Sequence, residues 1–322
     1  SCNAKGKDKA KHVVFIGLDG WGAYSLPKAD MPNVKQLMEN GSYTLKKRSA
    51  LPSSSAINWA SMFMGAGPEL HGYTEWGSKT PELPSRVLNK NGIFPTVFQL
   101  LRDARPEAEI GCLYEWEGIK YLVDTLSLNY HYHVADCNKT PKELGNMASA
   151  YIKEKHPALV AICYDGPDHT GHTEGHDTPA YYEKLKELDI YVGQIVQAVK
   201  DAGILDDTIF ILTSDHGGID KGHGGKTMQE METAFIISGK NIKKGLRFDD
   251  VSMMQYDVAS TIASIFNLEQ PQVWIGRPMK MVFLFTETNT AIIFQYTERL
   301  LLKYSHYIKY PIFTSKGNSS PV

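Results

Sequence analysis

The sequence lacks the features that mark two large classes of protein. None of its apolar runs reaches the roughly 18–20 residues that a helix needs to cross a bilayer. Basic residues are not in excess, because 34 Lys and Arg stand against 36 Asp and Glu, so we expect no nucleic-acid polymer among its partners. With 322 residues, 42% of them hydrophobic and 22% charged, the composition is that of a globular protein of one large domain or two modest ones.

Cysteine is also scarce. The chain has four cysteines and no CxxC pair, so no zinc-ribbon pattern is present. Cys163 lies in the apolar run ALVAICY, which is typical of a small core residue. Cys112 and Cys137 could form a disulfide in an oxidising compartment, and their spacing does not decide this.

The fourth cysteine, Cys2, precedes the polar, lysine-rich stretch NAKGKDKAKH. Mature bacterial lipoproteins begin at an acylated cysteine followed by a polar tether, and Ser1 suits the position before such a cleavage. We therefore expect residues 1–11 to be a tether, and the protein to be exported to a bacterial periplasm or cell envelope, with a lipid on Cys2 as its one membrane contact. A chance cysteine is the alternative.

Apolar, β-branched runs alternate with helical patterns along most of the chain. Five nearly continuous apolar runs predict strands that are covered on both faces, at 12–19, 109–116, 158–165, 208–215 and 234–239. Helical patterns lie between them, at 31–41 and from Tyr181 to Ala202, where Gly203 is a stop. This alternation predicts an α/β fold with a doubly wound, mainly parallel sheet and helices on both faces.

We divide the chain into the tether at 1–11, one domain at 12–280 and a C-terminal extension at 281–322. Residues within about 76–145 are proline-rich, polar or poorly patterned, so we expect a small inserted cap there. The extension is rich in Phe, Tyr and Ile, and could be a packing element, an oligomer contact or a tail. The oligomeric state therefore stays open.

Six acidic and histidine residues stand at or after the ends of predicted strands. They are Asp19, Asp168, His172, Asp215, His216 and His223. Any one of them alone is typical of a helix cap or a surface residue, but the carboxyl ends of parallel strands meet at one edge of the sheet, where ligands bind. Mixed Asp and His ligands favour Zn²⁺, with Mn²⁺ possible, over Ca²⁺, and six ligands suffice for two ions.

The segment LPSSSAINWASMF offers a nucleophile. Pro52 and the serines predict an N-cap, and residues from Ala56 to Met64 predict a helix. A hydroxyl there lies at the positive end of the helix dipole, beside backbone N–H groups that suit phosphate. A nearby divalent ion would lower its pKa. Serines that only cap the helix are the alternative.

Several short motifs occur in the order in which a known family has them. They are LDG, PSSSAINWAS running on into GAGPELHG, PDHTGH, SDHG and GHGG, between about His12 and Pro278. Each is weak alone, but the ordered set resembles the alkaline phosphatase superfamily, in its nucleotide pyrophosphatase/phosphodiesterase branch. The resemblance implies an alkaline phosphatase-like fold and a two-zinc phosphoric ester hydrolase that acts on small molecules.

The resemblance also implies roles for individual residues. Ser55, the third residue after Pro52, would be the nucleophile and form a phosphoenzyme that water hydrolyses. Asp168, His172 and His223 would hold one zinc ion.

The second zinc ion would be held by Asp19, Asp215 and His216 together with the Ser55 oxygen. Two Zn²⁺ bring four positive charges, and three Asp carboxylates with one ionised serine return four negative ones. A nearly neutral centre of this kind can accept an anionic phosphate and stabilise the charge of its displacement.

The sequence departs from the family at the position five residues after the HG histidine, where phosphodiesterases of this branch usually have an Asn that binds a phosphoryl oxygen. Here it is Trp76, so a neighbour such as Thr74 or Asn89 could replace the Asn. Trp76 could instead be a stacking wall for the leaving group, or a core residue. We predict Asn58, Tyr73 and Trp76 as substrate-binding residues.

A second departure is His176, in GHTEGHD, where relatives commonly have Pro. Its side chain could support a metal ligand or simply lie exposed.

Four other functions compete with a phosphodiesterase. Sulfatases of this fold need Pro and Arg after the nucleophile, and SAIN at 55–58 has neither. Trp59, Trp76 and Tyr73 near the motifs, with only Lys221 and Lys226 as cations, favour diesters or pyrophosphates over the substrates of a phosphomonoesterase or a phosphonate hydrolase. A non-catalytic surface lipoprotein that binds ligands would have lost the nucleophile or several ligands, and none is missing.

Overall fold

The structure, a computed structural model, describes residues 7–134 and 140–284. This part of the chain is built around one eight-stranded sheet. The strands are β1 His12–Leu18, β2 Gly41–Arg48, β3 Ile110–Tyr114, β4 Tyr130–His133, β5 Leu159–Tyr164, β6 Thr208–Thr213, β7 Glu232–Gly239 and β8 Leu246–Arg247. Their order is β4-β3-β5-β1-β6-β7-β2-β8. Only β7 among these strands runs against its neighbours, β6 and β2.

Helices cover both faces of this sheet. They are α1 Pro32–Glu39, α2 Ser55–Met64, α3 Pro68–His71, α4 Val97–Ala104, α5 Thr140–Lys155, α6 Asp168–Glu174, α7 Pro179–Asp201, α8 Met228–Met231 and α9 Asp257–Ile265. Short 3₁₀ turns occur at Ala23–Ser25, Glu117–Tyr121, Thr125–Ser127, Leu205–Asp207 and Lys280–Val282. Helices α2, α4 and α9 pack on one face, and α1, α5 and α7 pack on the other.

The central strand β1 shows why the apolar runs are continuous. Val13 and Phe15 belong to the core on one face, while Val14, Ile16 and Leu18 belong to the core on the other. Because side chains alternate between the faces of a strand, a strand with two covered faces must be apolar throughout. The five predicted strands are all present, and the predicted doubly wound, mainly parallel fold is confirmed.

Strands β2, β4 and β8 were not predicted. Residues 76–145, where we expected an inserted cap, contribute to the sheet itself, because β4 pairs in parallel with β3 at the sheet edge and α5 packs against α7. Irregular structure within this stretch is concentrated in residues 72–96, between α3 and α4. Tyrosine and histidine dominate β4, so its sequence lacks the aliphatic run that predicted the five central strands.

Residues near both described ends of the chain contact the domain. Lys9 donates its backbone N–H to the Ile265 carbonyl at 2.8 Å, and Asp8 pairs with Arg105, so the described end of the expected tether is part of the domain. At the other end the compact unit runs to Phe283, and residues 285–322 of the expected extension lie outside the described residues.

Two cysteines of the sheet are buried free thiols, Cys112 on β3 and Cys163 on β5. Cys2 and Cys137 lie outside the described residues, so the lipid on Cys2 and the pairing of Cys137 stay predictions. Among the helices that the structure describes, none has both the length and the apolar character needed to span a membrane.

Candidate metal centre

Three carboxylates leave neighbouring strands at the centre of the sheet. Asp19 follows β1, Asp215 follows β6, and Asp168 begins α6 just after β5. The Asp168 N–H donates to the Asp19 carbonyl at 2.9 Å, which holds the two loops together. Gly20 makes this approach possible, since its φ is 71° and a Cβ there would lie 2.6 Å from Asp168 Oδ1.

The first group of atoms that could hold a metal ion comes from Asp168, His172 and His223. Helix α6 places Asp168 and His172 one turn apart on the same face. His172 Nε2 lies 3.0 Å from Asp168 Oδ2, and His223 Nε2 lies 3.5 Å from the same oxygen. One atom of each residue lies within 4.8 Å of the others, so the three can converge on one ion.

A second group lies beside the first, around His216. His216 Nε2 lies 3.4 Å from Asp19 Oδ1, 3.2 Å from Asp215 Oδ2 and 3.1 Å from Ser55 Oγ. The atoms that all lie within 4.8 Å of one another belong here to Asp19, His216 and Asp168, so Asp168 is shared between the groups.

The three imidazoles are oriented in the same way. Each donates its Nδ1–H to a backbone carbonyl, His172 to Lys221 at 2.9 Å, His216 to Gly217 at 2.6 Å and His223 to Ser53 at 3.0 Å. Such a hydrogen bond fixes the orientation of each ring, so each Nε2 faces the carboxylates and is the atom that an unprotonated imidazole would offer to a metal ion. The His216 and His223 rings stack with their centroids 3.7 Å apart, which joins the two groups.

The carboxylates have oxygens that no hydrogen bond satisfies. Asp19 Oδ2 accepts from the Trp59 indole N–H at 3.0 Å, but Asp19 Oδ1 has no such partner. Asp215 Oδ1 accepts from the backbone N–H of Gly20 and His216, but its Oδ2 has none. Buried carboxylate oxygens without partners, which face imidazole nitrogens, form a set of ligand atoms that fits divalent cations such as zinc.

The pKa shifts follow from this crowding. Burial, together with the neighbouring Asp215 and Asp168, raises the pKa of Asp19 well above its ordinary value, and burial also raises the pKa of Asp215. Burial alone would raise the pKa of Asp168, but hydrogen bonds from His172 and His223 outweigh it and hold that pKa below its ordinary value. The contact with Asp168 raises the pKa of His172 to about 9. The cluster therefore needs either protons or cations to balance its charge.

Ser55 is the first residue of α2, and a buried asparagine fixes the chain before it. Asn58 Nδ2 donates to the carbonyls of Ala50, Pro52 and Ser54 at 3.2, 3.2 and 3.0 Å, and its Oδ1 accepts from the Ala50 N–H. Ser54, the N-cap, makes no capping hydrogen bond through its side chain. The position of the Ser55 hydroxyl thus rests on Asn58.

The other two predicted substrate-binding residues differ in exposure. Trp76 is 67% exposed, and its carbonyl accepts the Ala56 N–H at 3.0 Å, so it stands at the surface beside the start of α2 and is no core residue. Tyr73 is buried in the core on the α2 face, and Asn58 is buried as well.

The suggested replacements for the missing asparagine have partners in their own loops. Thr74 donates from both its N–H and its hydroxyl to Glu82, at 2.7 and 3.1 Å. Asn89 donates its amide to Asp124 at 2.8 Å.

His176 is not exposed. Its side chain is buried against Asp168, and burial lowers the pKa of the imidazole to about 4, so the ring is neutral near pH 7.

The polar support behind the Asp215 loop was not predicted from the sequence. Lys47, on β2, is completely buried and donates from Nζ to the Ser214 carbonyl at 2.9 Å and to the side chain of Gln255. Gln255 in turn donates to the Asp215 carbonyl, which also accepts from Ser49 Oγ at 2.7 Å. In the sequence Lys47 is one of three consecutive basic residues, and no local signal marks it as the buried one.

Comparison with known proteins agrees with the fold and with the family resemblance of the sequence. A family model described as type I phosphodiesterase / nucleotide pyrophosphatase matches residues 13–245. The bis(5′-adenosyl)-triphosphatase enpp4 of Mus musculus is 26% identical over 219 residues, which are 65% of this chain and 47% of the mouse protein. The chain therefore spans about half the length of that relative.

Solved structures share the fold at low sequence identity. An inactive variant of murine ectonucleotide pyrophosphatase/phosphodiesterase 5, in complex with AMP, aligns with a TM-score of 0.65 and 15% identity over 81% of this chain and 96% of that one. A 2-O GAG sulfatase aligns with a TM-score of 0.69 and 14% identity over 84% of this chain and 73% of that one.

Replacing Lys47 should destabilise the domain. In Lys47→Met the Ser214 carbonyl and Gln255 lose their buried donor, so we expect the free energy of unfolding to fall by about 3 kcal/mol. Lys46→Met, at the exposed neighbouring position of β2, should change it by no more than about 0.5 kcal/mol. Urea unfolding of both variants at equal metal content measures the difference, and coincident unfolding curves would contradict the role of Lys47.

Proposed function

The chain belongs to the type I phosphodiesterase/nucleotide pyrophosphatase family, and on this basis we propose that it is a metal-dependent hydrolase of small phosphate diesters or pyrophosphates, with Ser55 as its nucleophile. The observation that carries the proposal is the arrangement around Ser55, where three imidazole Nε2 atoms and three buried carboxylates face one another. A structural role does not explain carboxylate oxygens that are buried without partners.

The residues present fit two divalent ions, which we propose are zinc. Asp168, His172 and His223 would hold one, and Asp19, Asp215, His216 and Ser55 Oγ would hold the other. Bound there, the ions would supply the positive charge that lowers the pKa of the serine hydroxyl and stabilises a phosphoryl group under attack. Manganese is the alternative metal.

The chain's own residues then position and transfer the phosphoryl group. Helix α2 presents Ser55 Oγ at its first turn, where the helix dipole favours an anion, and Asn58 keeps that turn in place. The bond from Oγ to phosphorus forms as the bond from phosphorus to the leaving oxygen breaks. The serine hydroxyl gives its proton to solvent, and the oxygen of the leaving group takes up a proton from solvent. Water then hydrolyses the phosphoserine, and Ser55 regains its proton.

The surroundings of Ser55 favour diesters and pyrophosphates over monoesters. The exposed indole of Trp76 offers a flat apolar surface for an organic group on the leaving oxygen. Lys221 and Lys226 are exposed, and Lys221 contacts His172 through its carbonyl rather than its ammonium. A monoester, with its extra negative charge, would gain from cations on its free oxygens. Phosphomonoesterase, phosphonate hydrolase and sulfatase activities are the alternatives.

The serine can be tested against its neighbour. Ser55→Ala removes the attacking oxygen, so we expect kcat for a phosphodiester to fall by more than about a thousandfold, while the fold and the zinc content stay largely intact. Ser54→Ala is the matched control, because its hydroxyl makes only a 3.5 Å contact with His223, and it should stay within a few-fold of the unaltered protein. Steady-state kinetics and metal analysis are the measurements. If Ser55→Ala kept more than a few per cent of the activity, Ser55 would not be the nucleophile.

Metal removal tests the ligand set. We expect EDTA to abolish hydrolysis and added zinc to restore it, with about two zinc ions per chain by elemental analysis, as a bimetal centre requires. Restoration by magnesium alone would argue against ligands drawn from Asp and His. A chain that binds no zinc after supplementation would instead be the non-catalytic binding protein.

Substrate preference can be read from three chromogenic esters in the presence of zinc. We expect kcat/KM for bis(p-nitrophenyl) phosphate to exceed that for p-nitrophenyl phosphate by at least about tenfold, and p-nitrophenyl sulfate to be the poorest substrate. Trp76→Ala should reduce this preference, whereas Leu88→Ala, at another exposed apolar position of the same irregular stretch, should not. A preference for the monoester or the sulfate would overturn the diesterase assignment.

A further inference from the structure

His176 occupies a slot that the fold builds around its ring. The residue follows α6 and is only 4% exposed. Gly171 and Gly218 lie against the ring, because a Cβ at the first would fall 2.2 Å from its Cε1 and a Cβ at the second 2.4 Å from the same atom. Tyr181 packs nearby, with ring centroids 5.5 Å apart. The imidazole fills the space between the two glycines, because a side chain at either glycine would clash with the ring.

The ring points a nitrogen at the metal centre. His176 Nε2 lies 3.5 Å from Asp168 Oδ1, and neither atom has a hydrogen-bond partner among the described residues. A neutral imidazole carries one N–H, and a carboxylate oxygen is a strong acceptor. Two buried, unpartnered groups of complementary chemistry that face each other at this distance need only a small shift to bond.

We propose that His176 is a positioning residue for Asp168, whose Oδ1 accepts a hydrogen bond from His176 Nε2–H. This inference rests on the proposed function, because it concerns a carboxylate that we assign to metal binding. Asp168 Oδ2 lies 3.0 Å from His172 Nε2 and 3.5 Å from His223 Nε2. A hydrogen bond from His176 to Oδ1 would therefore fix the carboxylate with Oδ2 directed at the imidazoles of the first group.

His176 itself does not belong to either group of convergent atoms. Among the described residues, the atoms that lie within 4.8 Å of one another come from Asp19, Asp168, His172, His216 and His223. Asp215 is also outside these groups, but its unpartnered Oδ2 lies 3.2 Å from His216 Nε2. His176 Nε2 instead faces Asp168 Oδ1, so we expect the imidazole to act on an ion through Asp168. Removing a group that hydrogen-bonds to a metal ligand typically lowers the metal affinity by about 10–100-fold.

A pair of variants of equal shape separates the hydrogen bond from the packing. Gln and Met are both unbranched and of nearly equal length, but only Gln ends in an N–H donor. We expect His176→Met to weaken zinc binding at the group of Asp168, His172 and His223 by about 10–100-fold, with a smaller effect at the second group, which shares Asp168, and His176→Gln to recover most of that loss. Chelator competition on metal-free protein titrated with zinc gives both dissociation constants.

Thermal unfolding of the metal-free proteins is the second readout. Equal midpoints for the two variants would show that packing is matched, so that a difference in zinc affinity reports the donor. If His176→Met does not fold, His176→Asn takes its place, because its amide is one bond shorter and does not reach Asp168, so the same weakening is expected.

The outcomes separate the two proposals. An unaltered protein that binds two zinc ions, with affinities that neither His176→Met nor His176→Asn changes, overturns the role of His176 alone. Equal weakening in the Met and Gln variants overturns it too, since packing would then be the cause. An unaltered protein that binds no zinc overturns the proposed function, and the role of His176 with it.

Discussion

The constraint on which this structure depends is the burial of three carboxylates at one edge of the sheet. Asp19, Asp168 and Asp215 leave three neighbouring central strands, and burial of like charges is costly unless donors or cations compensate them. The chain compensates in part, with the Trp59 indole on Asp19 and backbone N–H groups on Asp215. One oxygen of each carboxylate still has no hydrogen-bond partner and faces an imidazole Nε2 atom. These oxygens and nitrogens define the candidate site.

Much of this site could be predicted from the sequence because its chemistry follows local patterns. Asp215 and His216 come directly after an apolar run, and Asp168 and His172 are one helical turn apart. Once a parallel sheet is inferred, its topology brings such residues to one edge without any knowledge of side-chain packing. The five central strands were predictable for the same reason, since strands with two covered faces are apolar throughout.

What could not be predicted depends on contacts between distant segments. Lys47 reaches Gln255 across the core, and nothing in the run Lys46–Arg48 distinguishes a buried ammonium from two exposed cations. From the sequence, the side chains of Trp76 and His176 could each lie at the surface or in the interior, and only the folded chain decides between these alternatives. Strand β4 has no aliphatic run, so its place at the sheet edge is visible only from its pairing with β3.

The position of β1 also sets when this centre can come into existence as the protein is made. β1 is synthesised before both of the strands between which it lies, β5 and β6. Asp19 is therefore synthesised before Asp168 and Asp215, and His223, the last of the three imidazoles, follows both. A chain that lacks His223 does not contain every residue of the two groups, so the complete candidate centre forms only after residue 223 has been synthesised.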